Sequence, residues 1–343
     1  MNSGYLRKER LFVGFFLFSI CCNLAHLIHQ AWFEFQVLSA DDPLGNKALY
    51  FLFPTTPKPL HAPEAYRLAI PALGRFFLQM FRLKDPSVVA GALDFVFGFF
   101  ALYFFYRVAT DGLSITKGER TKRTLVVAML LAFVQFPMAW VIPRQRPETL
   151  PTAFFLASAL FCLARVRRGA IWTGLLLAVA VWQSFVRGDV VLVFGAALVL
   201  MSLWGGTLDE LGPRSHNVLR GVCITVIAAG VQGYLQLVRY PHLSYWPGVE
   251  VVQFRHNLNL HQLGDWTVAL FPFLVLAAYL MLKRVPLRAV DAIVIASSVL
   301  YLPAWFSVGV IAEVRIYVPF MLALSLVAAR TASSYLTQDD ATS

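Results

Sequence analysis

Apolar runs long enough to cross a bilayer constrain this chain more than any other feature. A transmembrane helix needs about 20 largely apolar residues, and runs of this kind recur along most of the 343 residues. Backbone groups in lipid must be hydrogen-bonded within their own segment, so such runs form helices. The alternating ten-residue pattern of an outer-membrane barrel does not occur. The sequence therefore predicts an all-α polytopic membrane protein.

We predict about ten transmembrane helices in a single transmembrane domain, residues 1–343. Their approximate ranges are 11–31, 87–108, 124–142, 150–164, 170–186, 190–206, 219–237, 266–283, 290–311 and 316–330. Basic residues before the first run resemble the start of a signal peptide, but the run continues to about Ile28 without a small-residue cleavage site. We interpret it as a retained first span.

Basic clusters predict the orientation, because Lys and Arg concentrate in cytoplasmic loops. If each predicted helix crosses once, four clusters share one side: Arg7/Lys8/Arg10, Lys117/Arg120/Lys122/Arg123, Arg165/Arg167/Arg168 and Lys283/Arg284/Arg288. Both termini are then cytoplasmic. Two long extracytoplasmic loops are predicted, 32–86 and 238–265. The first contains an amphipathic stretch, 65–83, in which we expect an external interface helix.

The net charge of +10 does not indicate nucleic acid as a partner, because no soluble basic domain is present to hold a duplex. The cysteines lie inside apolar runs and have neither disulfide nor metal spacing. His26 and His29, one helical turn apart, have no further ligand at motif spacing. The sequence therefore assigns no metal ligands and no certain cofactor, and it leaves dependence on a divalent metal open although no residue pattern supports it.

Positive charge on the predicted external side is the main anomaly. Roughly a dozen of the 29 Lys and Arg residues fall there, where they should be depleted. Several lie at span ends beside acids, in the segments Arg144-Gln-Arg146-Pro-Glu148, Arg187-Gly-Asp189 and Glu313-Val-Arg315, the last followed by Tyr317. Arginine forks bind phosphate bidentately. An anionic, phosphate-bearing ligand near these turns would offset the cost of placing arginines at the membrane edge.

A purely structural role is an alternative for each of these groups. Glu148 and Asp189 stand where helices begin and can act as caps, while Arg187 can extend to the interface and Tyr317 can belong to an aromatic belt. Asp94, deep within a predicted span, is interpreted as a buried packing residue.

Three acids follow the first predicted span: Glu34, Asp41 and Asp42. A carboxylate at the membrane edge can act as a general base toward a hydroxyl. Simple solvation of a loop is the alternative for each.

Together these features resemble the GT-C superfamily of polytopic glycosyltransferases, including bacterial mannosyltransferase-like membrane proteins. The matching pieces are Asp41-Asp42, AYRLAIP (Ala65–Pro71), RPET (Arg146–Thr149) and EVRIYVP (Glu313–Pro319). The resemblance implies transfer of a sugar from a polyprenyl-phosphate donor to a hydroxyl of a glycan or lipid acceptor, on the extracytoplasmic face of a bacterial inner (plasma) membrane.

The resemblance also implies roles for residues. Asp41 or Asp42 matches the first-loop general base, although Glu34 lies closer to the first span. The substrate-binding set comprises Arg67, Arg144, Arg146, Glu148, Arg187, Glu313, Arg315 and Tyr317, of which the arginines would bind the donor phosphate. Three alternatives stay open: an O-antigen polymerase or ligase-like enzyme, a lipid or solute transporter, and a non-catalytic scaffold subunit.

Overall fold

The fold is known from a computed structural model. It describes residues 66–84, 86–111, 117–139, 148–204, 208–242, 287–308 and 314–338, with Asn257 and ten positions between residues 10 and 25. The regular elements of these segments are all helical. They are α1 (Ala69–Phe81), α2 (Pro86–Ala109), α3 (Lys117–Ala139), α4 (Thr149–Leu163), α5 (Ala170–Trp204), α6 (Arg214–Tyr234), α7 (Ala289–Val308) and α8 (Val318–Gln338).

The helical class is confirmed, and helices long and apolar enough to cross a membrane support the prediction of a membrane protein. Within the described residues four helices reach this length: Val88–Ala109, Ala170–Trp204, Arg214–Arg239 and Ala289–Ser307. Shorter apolar helices cover Ala69–Phe81, Thr149–Leu163 and Val318–Thr331. The larger number of about ten spans stays a prediction. Most of the predicted first span, all of the span at 266–283 and most of both long loops lie outside the described residues.

Helix α5 is bent sharply at Arg187, whose dihedral angles (φ −154°, ψ 87°) are not helical. This residue divides α5 into a first arm, 170–186, and a second arm, 188–204. The sequence predicts two spans here, with the Arg187-Gly-Asp189 segment as the turn between them. The bend lies within that segment.

Contacts with α6 show that the two arms run antiparallel. Thr173, near the start of the first arm, accepts a hydrogen bond of 3.2 Å from Arg220. Val199, near the end of the second arm, packs against Gly221, the neighbour of Arg220. Gln232, near the other end of α6, contacts the last turn of the first arm and the bend itself. The arms therefore form a hairpin, with the bend at one end of the bundle and both outer ends at the other.

Helix α4 lies at the centre of this bundle, since 13 of its 15 residues are buried. Ring contacts set its direction. Phe161 meets Trp172 at a centroid distance of 5.7 Å, and Phe154 meets Trp182 at 6.3 Å. Helix α4 is thus antiparallel to the first arm of α5, and its start lies beside the bend. The residue before α4, Glu148, is thereby placed at the end of the bundle where the hairpin turns.

At the opposite end of the bundle, arginine side chains bind the C-terminal end of α2. Arg330 of α8 pairs with Asp291 of α7 at 2.7 Å and donates to the backbone carbonyls of Val108 and Ala109. Cations at a helix C-terminus satisfy its free carbonyls and complement its dipole.

Asp111 contacts arginines from two of the basic clusters that the sequence predicts to be cytoplasmic. Its carboxylate lies 3.5 Å from Arg165 and 3.7 Å from Arg168, and its carbonyl accepts a hydrogen bond of 2.8 Å from Arg288. The Arg165 guanidinium also lies 3.7 Å from the centre of the Phe161 ring. The two clusters share one end of the bundle, and the assignment of that end to the cytoplasm stays a prediction.

Helix α1 occupies the stretch predicted to contain an interface helix. It buries Ile70 and Gly74 against the bundle, while Phe76, Met80 and Phe81 are each more than half exposed. This one-sided burial is typical of a helix whose apolar face meets either lipid or another protein surface.

Candidate functional site

An ion pair between Arg67 and Glu148 joins the start of α1 to the start of α4. Arg67 Nη1 donates to Glu148 Oε1. The side chains are 19% and 8% exposed, respectively. Glu148 occupies the N-cap position of α4, but its side chain makes no capping hydrogen bond. The Glu148 carboxylate therefore pairs with a residue distant in sequence, whereas the capping interpretation predicts a hydrogen bond to the start of its own helix.

A second ion pair lies at the hairpin bend. The Arg187 guanidinium is bidentate to Asp189, with Nη2 to Oδ2 at 2.5 Å and Nε to Oδ1 at 3.3 Å. Nη2 also donates to the Tyr301 hydroxyl, and Nη1 donates to the carbonyl of Ile316 at 3.5 Å. The Tyr301 hydroxyl in turn donates to Asp189 Oδ2 at 3.0 Å. The bend, α7 and the segment before α8 are thus tied together at one point.

Burial differs greatly between the two charges of this pair. The Arg187 side chain is 2% exposed, whereas that of Asp189 is 46% exposed. A buried cation must be paired, and Asp189 and Tyr301 supply that pairing. The carboxylate nevertheless retains an accessible surface, so a group from outside the protein can reach it.

Both ion pairs lie at the end of the bundle where the hairpin turns. Glu148 lies within electrostatic range of Arg187, and Arg67 lies within electrostatic range of Asp189. We call Arg67, Glu148, Arg187 and Asp189 the four-charge cluster. It combines two cations and two anions from the residues just before α1 and α4 and from the bend of α5, so its net formal charge is zero.

A polar contact supports the start of α4 next to the cluster. Gln183 of the first arm donates to the Thr152 hydroxyl at 2.9 Å, and that hydroxyl donates to the carbonyl of Glu148 at 2.6 Å. Gln183 and Thr152 are both fully buried. This chain of hydrogen bonds fixes α4 against α5 at the level of the ion pairs.

Aromatic rings form one side of the site. The Tyr301 ring stacks on Trp305 at 6.1 Å, on Tyr317 at 6.2 Å and on Phe320 at 4.5 Å. Arg187 lies 5.6 Å from the centres of the Tyr301 and Trp305 rings, which is within cation–π range. The buried hydroxyl of Tyr317 donates to the carbonyl of Ser298 at 3.0 Å. That bond ties the segment before α8 to α7.

The structure brings together four of the residues predicted for the substrate site: Arg67, Glu148, Arg187 and Tyr317. The backbone of Arg315 lies in the same short helical segment as Tyr317, Val314–Tyr317, but its side chain lies outside what the structure describes. The remaining predicted residues also lie outside the described part of the chain: Glu34, Asp41, Asp42, Arg144, Arg146 and Glu313.

Sequence reasoning left two members of this arrangement out of the predicted site. Asp189 was interpreted as a helix cap beside Arg187, and Tyr301 carried no motif. The position of Asp189, two residues after Arg187 at the predicted external end of a span, is the sequence feature that could have placed it in the site. Tyr301 lies 114 positions from Arg187, and no local pattern indicates a contact at that separation.

The site offers hydrogen-bond donors, an accessible carboxylate and aromatic surfaces. Across the described segments, no three His, Cys, Asp or Glu side chains come together in the way a metal ion would need. An open groove of about 720 Å³ lies at the start of α6, at the opposite end of the bundle. It is lined by Arg214, Ser215, Val218, Leu219 and Val222, and none of these residues takes part in the four-charge cluster.

The sequence matches no protein-family model and no curated protein, and the structure matches no solved structure.

Proposed function

We propose that this chain is a membrane glycosyltransferase. It would move a sugar from a polyprenyl-phosphate donor to a hydroxyl of a glycan or lipid acceptor on the extracytoplasmic face. The observation that supports this best is the four-charge cluster at one end of a helical bundle. Ionisable groups within membrane helices are costly and are usually kept for function.

Arg67 is the cation of the cluster that we assign to the donor phosphate. Its side chain is partly exposed, and within the cluster it forms an ion pair with Glu148 alone. Arg187, by contrast, directs four hydrogen bonds to protein acceptors. We therefore assign Arg187 to positioning Asp189 and leave the phosphate to Arg67 and further arginines.

The further arginines that we assign to the phosphate are those nearest to the cluster in the sequence. A phosphate needs net positive charge, and the four-charge cluster is neutral. Arg144 and Arg146 precede Glu148 by four and two residues, and Arg315 directly precedes Ile316, whose carbonyl accepts a hydrogen bond from Arg187. Each residue extends the chain by at most about 3.6 Å, so these three arginines are the ones nearest to the cluster along the chain.

The proposed reaction follows from these assignments. A first-loop carboxylate, Asp41, Asp42 or Glu34, takes the proton of the acceptor hydroxyl. The acceptor oxygen then forms a bond to the anomeric carbon as the bond from that carbon to the phosphate oxygen breaks. Polyprenyl phosphate leaves with the electron pair of the broken bond, and arginines stabilise its charge.

The location of the charges favours this proposal over a transporter. Transport sites usually lie near the bilayer midplane, where helices are broken in paired halves. The bend that carries Arg187 and Asp189 joins the ends of two antiparallel arms. Groups at the end of a bundle suit chemistry at a membrane surface.

Binding of tritiated undecaprenyl phosphate to the purified protein in nanodiscs tests the assignment of Arg67. We expect saturable binding that Arg67→Ala weakens by about tenfold or more, because a charge-assisted contact to phosphate is lost. Arg75→Ala is the matched control. Arg75 is an exposed arginine in α1, two helical turns further along, and its removal should leave binding unchanged.

Transfer from undecaprenyl-phosphate-linked mannose and glucose to a lipid extract then tests catalysis in the same preparation. The combined variant Glu34→Gln/Asp41→Asn/Asp42→Asn should retain lipid binding and lose transfer. Equal binding of undecaprenyl phosphate by the wild type and Arg67→Ala would contradict the proposal. Equal affinity for undecaprenol, which has no phosphate, would also contradict it.

A further inference from the structure

We infer that Asp189 binds a sugar hydroxyl of the donor, with Arg187 and Tyr301 as its positioning residues. This inference rests on the proposed function and deepens it, because it names the group that recognises the sugar as opposed to the phosphate. Three features of the site support it: the free acceptor capacity of the carboxylate, its fixed position and its aromatic surroundings.

The acceptor capacity follows from the hydrogen bonds. An ionised carboxylate has about four lone-pair positions. Asp189 Oδ2 accepts from Arg187 Nη2 and from the Tyr301 hydroxyl, and Oδ1 accepts from Arg187 Nε. Counting partners among the described residues, one position on Oδ1 is left, and the side chain is 46% exposed. A single donor from outside the protein can therefore complete the coordination of this carboxylate.

The chemistry of that donor is restricted. A carboxylate repels phosphate, so the ligand group that meets Oδ1 must be a neutral or positive hydrogen-bond donor. Sugar hydroxyls are the donors that a polyprenyl-phosphate sugar carries. With Arg67 as the phosphate contact, Asp189 lies close enough to Arg67 to interact with it electrostatically. The phosphate would thus contact the cation Arg67, and the sugar would contact the neighbouring anion Asp189.

The position of Asp189 is fixed by buried partners. Arg187 is 2% exposed and Tyr301 is 1% exposed, and Tyr301 packs between other rings of the core. A binding group held by packed neighbours loses little conformational entropy when a ligand binds. The hairpin bend therefore presents a rigid carboxylate at its tip.

Aromatic surroundings add a second indication. Trp305 stacks on Tyr301 and lies beside Arg187. Tyr301 also lies within cation–π range of that guanidinium. Aromatic rings around the pair suit the apolar face of a sugar ring, while the free acceptor position of Asp189 suits one of its hydroxyls.

The test compares the affinity of the full-length protein in nanodiscs for three probes: undecaprenyl phosphate, undecaprenyl phosphate-mannose and undecaprenyl phosphate-glucose. The wild type should bind at least one of the sugar-bearing lipids about tenfold or more tightly than undecaprenyl phosphate, as expected for a hydrogen bond to a charged group. Asp189→Glu keeps the charge opposite Arg187 but displaces the oxygens. It should abolish this sugar-dependent gain while leaving the affinity for undecaprenyl phosphate within about twofold.

Two further variants separate binding from stability. Asp291→Asn disturbs the ion pair with Arg330 at the opposite end of the bundle, and it should retain the sugar-dependent gain even though it is less stable. Tyr301→Phe keeps the ring but removes the hydroxyl that bonds Asp189, and it should reduce the gain severalfold.

The outcomes distinguish the inference from the proposed function. If the wild type binds all three lipids equally, or if Asp189→Glu retains the gain, the role of Asp189 is overturned, while binding that depends on Arg67 still supports the proposed function. If the wild type binds none of the three lipids, the proposed function and the inference fail together.

Discussion

The close approach of the second arm of α5 to α6 predicts the effect of adding one methyl group at Gly195. A Cβ atom there would lie 2.5 Å from Thr225 Oγ1, 2.9 Å from the Gly221 carbonyl oxygen and 2.9 Å from the Thr225 backbone nitrogen. Two of these atoms belong to the backbone of α6. The third is held by a hydrogen bond of 2.9 Å from Thr225 Oγ1 to the Gly221 carbonyl. None of the three can move aside without shifting α6 or breaking that bond.

The magnitude follows from two opposing terms. Alanine in place of glycine favours a helix by up to about 1 kcal/mol, and forcing extra volume into a packed contact typically costs about 1–3 kcal/mol. Gly174→Ala isolates the first term, because a Cβ there meets no atom within 4 Å and Gly174 lies in the first arm of the same helix. We therefore expect Gly195→Ala to be about 1–3 kcal/mol less stable than Gly174→Ala.

The measurement is unfolding of the purified protein in mixed micelles of a mild detergent and SDS, followed by circular dichroism and tryptophan fluorescence. The Gly174→Ala midpoint should equal or exceed that of the wild type, and the Gly195→Ala midpoint should fall below both. Equal stability of the two variants would refute the argument. It would mean that the α5–α6 contact is looser than the structure shows, and the antiparallel hairpin that positions Arg187 would lose one of its supports.

Two further predictions concern buried polar contacts and use the same unfolding measurement. Arg330→Met should destabilise the fold by about 3–5 kcal/mol because it leaves the buried Asp291 without its cation, and Arg330→Met/Asp291→Leu should recover part of this loss. A double variant no more stable than Arg330→Met would count against the ion pair. Gln183→Met should change stability by less than about 1.5 kcal/mol because volume is conserved, and because the Gln183 side-chain oxygen is buried with no partner in the described segments. Thr152→Val should cost about 1–3 kcal/mol because it leaves the Gln183 amide unsatisfied. If Gln183→Met were the more destabilising of the two, the hydrogen bond from Gln183 to Thr152 would be contradicted.

The helical membrane class could be predicted from sequence because it depends on local properties. The length and apolarity of a run decide whether it can cross a bilayer, and both are read within a window of about 20 residues. The bend at Arg187 was also predictable, since a charged residue followed by glycine and aspartate interrupts an apolar stretch. Helix α1, Ala69–Phe81, lies within the amphipathic stretch 65–83, which the same kind of local pattern predicts.

The partners in the four-charge cluster could not be predicted in this way. Arg67 and Glu148 are 81 positions apart, and a local reading of Glu148 favours a helix cap. Tyr301 lies in an apolar stretch where a tyrosine fits the core or the interface equally well. Its bonds to Arg187 and Asp189 exist only because α7 packs against the hairpin of α5.

The sequence by itself thus determined that this protein is a bundle of apolar helices with arginines and acids at their ends, because hydrophobic periodicity and length act locally. Only the tertiary structure decided which of those charges meet. A buried guanidinium must find a carboxylate or another acceptor wherever the packing of helices places one, and that choice is made between residues far apart in the chain.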